Sequence, residues 1–225
     1  MVVKVGHRGA AGHEPENTLR GFRRAMELGA DMVELDVQIC GSGELVVIHD
    51  GTVDRTTDGA GEVAEMTLDE LRSLDAGMGE RVPTLQEVID LAAGRIGINI
   101  ELKGPGTAGP ALEQIRRALE SGWEVADFQV SSFRLEELST FRELSGDVRT
   151  GVLYAIDDGG VMDFAERNRA YSLNPHHRAV TVDLVARAHD AGLKVYAWTV
   201  NEAMDIGNMR GLGVDGVISD YPDRI

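Results

Sequence analysis

Residues 36–50 read DVQICGSGELVVIHD, two short apolar runs divided by Cys40-Gly41-Ser42-Gly43. A connection that short cannot carry a parallel crossover, which needs about a dozen residues or more. The second run, Leu45 to His49, must therefore fold back on the first as an antiparallel arm. Counting outward from the turn sets His49 roughly opposite Leu35 and Asp36.

Similar apolar, β-branched runs recur along the chain between helical patterns: VVKVGH, DMVELDVQI, ELVVIHD, RIGINIELK, DFQVSSF, VRTGVLYA, RAYSLNP, LKVYAWTV and VDGVISD. Alternation of this kind marks βα units and a parallel sheet. With the arm set aside, eight of the nine runs remain, and the economical arrangement is an α/β fold, a (β/α)8 TIM barrel. TLDE at Thr67–Glu70 and TLQE at Thr84–Glu87 are capping-box patterns that fix two helix starts. Asn17 or Thr18 should cap the helix after PENT, and Asn201 the last one. The segment after His49 is longer than a usual βα connection and opens with DGTVDRTTDGAGE. It reads as a small insertion at about 51–95 in a single catalytic domain spanning 1–225.

The composition limits what the domain does. Of 225 residues, 43% are apolar, enough for a sizeable core, and 38 acidic against 22 basic residues leave a net charge of −16. Such a field repels phosphate backbones, so nucleic acid is not an expected partner, and a phosphorylated ligand needs a local cationic site. The single Cys40 excludes an internal disulfide and suits a reducing compartment. No run reaches membrane-spanning length, and the N-terminus does not read as a signal peptide. The expectation is a cytoplasmic protein without stable membrane insertion.

In a barrel of this kind the reactive groups sit at the C-terminal ends of the strands. His7 and Arg8 end the first run. Glu34 and Asp36 are two apart in the second, on one face, and Glu101 and Lys103 repeat that spacing later. The arm brings His49 to the same rim. Three carboxylates in one cleft repel one another and raise at least one pKa, and a hard divalent ion relieves the conflict; oxygen ligands favour Mg²⁺, Ca²⁺ or Mn²⁺. Arg8 and Lys103 can neutralise a phosphate. Histidine as a residue type has a reference pKa of about 6.5, suited to proton transfer near neutrality. Together these groups suffice to cleave a phosphodiester. Ser131 and Ser132 face the mouth without a base beside them, and GPGTAGP after Lys103 lacks the Gly-Lys-Ser/Thr ending of a phosphate-binding loop.

The motifs GHRG, PENT, GADMVELDVQ, LVVIHD, VPTLQEV, IELK, WTVN and DGVISDYP occur in this order. Across nearly the whole chain they resemble the glycerophosphodiester phosphodiesterase family. The resemblance implies a barrel enzyme that hydrolyses glycerophosphodiesters, such as glycerophosphocholine and glycerophosphoethanolamine, to sn-glycerol 3-phosphate and an alcohol. It implies His7 and His49 as an acid/base pair, Glu34, Asp36 and Glu101 as ligands to one divalent metal ion, and Arg8 and Lys103 as phosphate contacts. Trp198, in WTVN, is either a wall for the substrate or barrel packing. One departure is visible, since the hairpin turn of the family usually carries a Thr and an Asp-Gly.

Three other readings compete. A lysophospholipid or sphingolipid phosphodiesterase on a similar barrel calls for exposed apolar surface at the mouth. A non-catalytic phosphodiester-binding module is easier to hold if a histidine or carboxylate were replaced, and none is. A barrel isomerase or aldolase using Lys103 as a Schiff base needs a depressed lysine pKa, which Glu101 opposes.

Overall fold

The computed structural model describes residues 2–156 and 159–225. Each apolar run forms a strand: β1 (Val3–Gly6), β2 (Met32–Ile39), β3 (Leu45–Val47), β4 (Gly97–Leu102), β5 (Phe128–Ser132), β6 (Arg149–Tyr154), β7 (Ser172–Pro175), β8 (Lys194–Ala197) and β9 (Gly216–Ser219). All except β3 pair in parallel around a closed ring, with β1 hydrogen-bonded to both β2 and β9. The chain is thus a closed eight-stranded barrel with one extra strand outside the ring. That strand is the arm: Val37, Gln38 and Ile39 pair antiparallel with Val47, Val46 and Leu45. Ile48 N–H donates to Asp36 O at 3.0 Å, so the same register carries His49 past Leu35.

The ring helices are α1 (Leu19–Glu27), α3 (Leu85–Ala92), α4 (Ala108–Glu120), α5 (Leu135–Leu144), α6 (Val161–Arg167), α7 (Val182–Asp190) and α8 (Ala203–Leu212); α2 (Leu68–Arg72) lies in the insertion. Both capping boxes form, Thr67 with Glu70 and Thr84 with Glu87. Thr18, not Asn17, caps α1, its Oγ1 accepting from Gly21 N–H. The main core lies between helices and strands, where residues such as Phe22, Leu35, Leu85, Ile98, Ile115, Phe128 and Phe141 are fully enclosed. A second small core explains the arm. Val53, Val63, Leu71, Ala76 and Val82 of the insertion pack on Cys40, Val46 and Ile48, so β3 supplies the apolar face on which the insertion folds.

The barrel interior below the mouth is polar. Gln129 Nε2 on β5 donates to Ser172 Oγ on β7 at 3.1 Å, and Ser172 Oγ donates to Asn174 Oδ1 at 2.6 Å. These bonds cross over β6 at Gly151, where an added Cβ would lie 2.7 Å from Gln129 Nε2. Among the described residues no helix is long and apolar enough to cross a membrane.

Candidate active site

A cleft of about 430 Å³ opens at the C-terminal ends of the strands, lined among others by His7, Arg8, Glu34, His49, Glu101, Lys103, Ser131, Phe133 and Trp198. Asp36 lies fully buried directly behind this wall. The residues singled out in the sequence therefore meet in one place, although they come from six different strand ends.

The GHRG turn sets the first of them. Arg8 and Gly9 both take positive φ, +50° and +87°. A Cβ on Gly9 would stand 2.6 Å from the Gly21 carbonyl carbon, so only glycine lets the turn press against the first turn of α1. This bend sends Arg8 N–H to Glu34 Oε2 at 2.9 Å and leaves the His7 ring beside the end of β9.

Glu34, Asp36 and Glu101 offer one oxygen each, all within 4.8 Å of one another. Asp36 and Glu101 are register neighbours across β2 and β4. Burial pushes the Glu34 carboxyl well above the usual range, and the charges of Asp36 and Glu101 add to it. Burial likewise raises Glu101 to about 7, with Asp36 adding and Lys103 opposing. Asp36 Oδ2 accepts from Asn17 Nδ2 at 2.8 Å and stands 3.2 Å from Arg8 Nε, whereas Asp36 Oδ1 is buried with no hydrogen-bond partner. Leaving such an atom unsatisfied costs roughly 1–3 kcal/mol. A hard cation fits an all-oxygen set with one bare carboxylate oxygen, so the residues present suit a divalent ion.

Each histidine is held through Nδ1. His7 Nδ1–H donates to Asp220 Oδ1 at 2.6 Å and His49 Nδ1–H to Asp50 Oδ1 at 2.5 Å. Arg55 is the main cause that keeps the Asp50 carboxyl far below its ordinary value. Asp220 is half-buried, which raises its pKa, but the His7 and Asn201 hydrogen bonds and the Arg8 charge outweigh that and hold it low. Two ionised acceptors on Nδ1 leave Nε2 of each neutral ring as the basic nitrogen. Burial lowers the His49 pKa, with Asp36 and Asp50 opposing.

The cations are also tethered. Arg8 Nη1 donates to Glu16 Oε1 at 2.8 Å, and Lys103 Nζ lies 2.9 Å from Glu101 Oε1 and 3.9 Å from Asp36 Oδ1. Trp198 stands edge-on to Phe133, ring centroids 5.2 Å apart, and its Nε1–H donates to Asn174 O at 2.7 Å. It is both cleft wall and barrel packing. The amides that open α4, Gly106 N–H and Ala108 N–H, are taken by the buried carboxylate of Glu137 at 2.6 and 3.0 Å, so the GPGTAGP loop offers no anion site there.

Several residues at the site have a part that their sequence signal does not give. Asn201 does not cap α8, whose N-cap is Glu202 without a side-chain bond. Instead its Nδ2 donates to Asp220 Oδ2 at 2.6 Å while its Oδ1 accepts from Asp220 N–H and Ser219 Oγ. Asn17, the other capping candidate, takes positive φ and turns its amide to Asp36. His13 and His189 have carboxylate partners away from the cleft, Asp223 and Asp215.

Fold and site together define the class: a (β/α)8-barrel protein with a buried acidic triad, two carboxylate-held histidines and two cations at the barrel mouth. The model of the glycerophosphoryl diester phosphodiesterase family matches residues 7–224, and the chain belongs to that family of hydrolases. Similar proteins include the glycerophosphodiester phosphodiesterase of Caldanaerobacter subterraneus subsp. tengcongensis, 40% identical over 231 residues, covering 98% of this chain and 95% of that one. Among solved structures, an Oleispira antarctica phosphodiesterase in complex with the product sn-glycerol-3-phosphate superposes with a TM-score of 0.90 at 32% identity, covering 98% of this chain and 94% of that one. A glycerophosphoryl diester phosphodiesterase structure from Silicibacter pomeroyi matches equally, TM-score 0.90 and 32% identity, over 99% of this chain and 91% of the other.

Proposed function

We propose that this chain hydrolyses glycerophosphodiesters, including glycerophosphocholine and glycerophosphoethanolamine, to sn-glycerol 3-phosphate and the free alcohol. The observation that carries the reading is the pair of histidines, each held at Nδ1 by an ionised Asp, that line one cleft together with Arg8 and Lys103. Arg8 and Lys103 hold the phosphate. One histidine takes the proton of the attacking oxygen, of water or of the glycerol 2-hydroxyl, through Nε2 as the new P–O bond forms, and the other protonates the leaving alkoxide as the old one breaks; where the 2-hydroxyl attacks, water then opens the cyclic phosphate to give glycerol 3-phosphate. Glu34, Asp36 and Glu101 would hold one divalent ion, Mg²⁺ or Ca²⁺ with Mn²⁺ also acceptable to such ligands. When bound, the ion supplies Lewis-acid polarisation of a phosphoryl oxygen. Trp198 and Phe133 flank the substrate. The lone buried Cys40 supports a reducing, cytoplasmic setting.

The test is release of glycerol 3-phosphate from both substrates with Mg²⁺, Ca²⁺, Mn²⁺ or EDTA, for wild type, His7→Ala and His49→Ala. We expect metal-dependent release, reduced on the order of 10²- to 10⁴-fold in each folded variant. Activity that survives EDTA and both substitutions would place the site elsewhere.

A second reading, a lysophospholipid or sphingolipid substrate, draws support from Phe133, Leu135 and Ile156. These exposed apolar residues follow β5 and β6 on the mouth side of the barrel. Lysophosphatidylcholine or lysosphingomyelin cleaved faster than glycerophosphocholine would favour it.

A further inference from the structure

Arg55 belongs to the insertion and does not line the cleft. Its guanidinium is shared between two carboxylates. Nη1 and Nη2 donate to Glu16 Oε2 and Oε1, each at 2.8 Å, while Nε donates to Asp50 Oδ2 at 2.7 Å and Nη2 reaches Asp50 Oδ1 at 3.3 Å. Each carboxylate makes its other contact inside the site. Glu16 accepts from Arg8 Nη1, and Asp50 accepts from His49 Nδ1. Glu16 precedes α1 and Asp50 follows the arm, so neither segment alone fixes their separation.

We propose that Arg55 is a positioning residue for the hydrolysis: one planar fork sets the spacing of the two carboxylates that aim His49 and Arg8. This deepens, and rests on, the roles given above to His49 and Arg8. One feature separates it from a plain surface ion pair. The fork is bidentate to Glu16 and extends to a second acid, a geometry that an ammonium cannot reproduce. The side chain is 48% exposed, which limits what the pairs add to stability and leaves their main effect in orientation. The insertion also contacts the barrel through Arg72, 2.7 Å from Glu87, and that bridge reaches no residue of the cleft.

The experiment compares Arg55→Ala, Arg55→Lys and Arg72→Ala with wild type in kcat, KM and Tm, and follows the His49 imidazole tautomer by NMR. Misplacing two functional groups should lower kcat about tenfold and raise KM several-fold in both Arg55 variants. Tm should fall no further than in Arg72→Ala, which keeps wild-type kinetics. The Nδ1–H tautomer of His49 should give way to a mixture in Arg55→Ala. Added to Glu16→Gln with Asp50→Asn, Arg55→Ala should change kcat less than about twofold, because its effect is already lost. The proposal is overturned by Arg55→Ala kinetics matching those of Arg72→Ala, by full activity in Arg55→Lys, by additivity in the triple variant, or by an unchanged tautomer. Failure of the underlying reading shows separately, as an inactive wild type or an active His49→Ala, and the tautomer still reports on Arg55.

Discussion

His7 Nδ1 and Asp220 Oδ1 stand 2.6 Å apart although 213 positions separate them in the chain. The contact exists because β1 and β9 are adjacent where the ring closes, with Gly6 opposite Ser219. Asn201 holds the far oxygen of Asp220, so the carboxylate has one orientation in which to receive His7. Asp220→Asn removes the charge that stabilises imidazolium while keeping the shape. Steady-state kinetics should show kcat reduced roughly ten- to a hundredfold with KM within about threefold of wild type. An unchanged kcat would leave Asp220 no part in the reaction.

Glu101 makes stability depend on pH in a distinctive direction. Its pKa is raised to about 7 by burial, with Asp36 adding, above an ordinary value near 4.5. Between about pH 4.5 and 7 the folded chain thus holds more protons than the unfolded one, and stability falls as pH rises through that window. Glu34 is raised by burial too and acts in the same sense. In EDTA, Tm should fall from pH 5 to pH 7.5; with a saturating divalent ion this contribution should vanish, and ion binding should release protons. Calorimetry in two buffers of different ionisation enthalpy measures the release. Binding without proton release near pH 6 would argue against these carboxylates as ligands.

The same repulsion predicts a stabilising substitution. Glu34→Gln keeps an acceptor for Arg8 N–H and removes one of three crowded charges. At pH 8 in EDTA it should raise stability, since burial and the charges of Asp36 and Glu101 penalise the ionised carboxylate that it replaces. The gain in Tm on adding the divalent ion should disappear at the same time. A destabilised Glu34→Gln would mean that Arg8 and Lys103 already balance the triad.

His49 acts in the opposite sense to Glu101. Burial lowers its pKa, so protonation favours the unfolded chain, and its contribution is lost as pH falls from about 6.5 through the folded-state value. Replacing His49 with Gln should flatten the acid side of the Tm–pH curve below about pH 6.5. A slope identical to wild type would show that the ring is not desolvated.

Gly9→Ala tests why GHRG has its second glycine. The new Cβ meets backbone of Gly21 at 2.6 Å in a positive-φ conformation, so α1 or the turn must shift. Overpacking of this kind should cost about 1–3 kcal/mol by chemical denaturation and weaken phosphate binding through Arg8. Wild-type stability would mean that the turn relaxes freely.

Much of this molecule is determined locally. The four-residue turn after Ile39 excludes a parallel crossover, which settles the antiparallel arm and hence the count of eight barrel strands. Thr67–Glu70 and Thr84–Glu87 form their caps from residues three apart, and the two-residue spacing of Glu34 and Asp36 puts both on one strand face. Such features depend on backbone period and turn length, which act over a few residues.

What tertiary structure decided is partnership. Asn201 reads as a helix cap, yet ring closure brings Asp220 within reach and takes its side chain. Asn17 and Thr18 were equivalent cap candidates until the positive φ at Asn17 turned its amide to Asp36 and left the cap to Thr18. Arg55, Glu16 and Asp50 meet because the insertion folds on the arm while the segment before α1 lies beside it. No spacing rule links these residues; contacts across the mouth exist only once strand tilt and closure fix which ends face one another. The sequence by itself determines the strands, the arm and the chemical inventory of the mouth, and closure of the barrel determines which carboxylate holds which histidine.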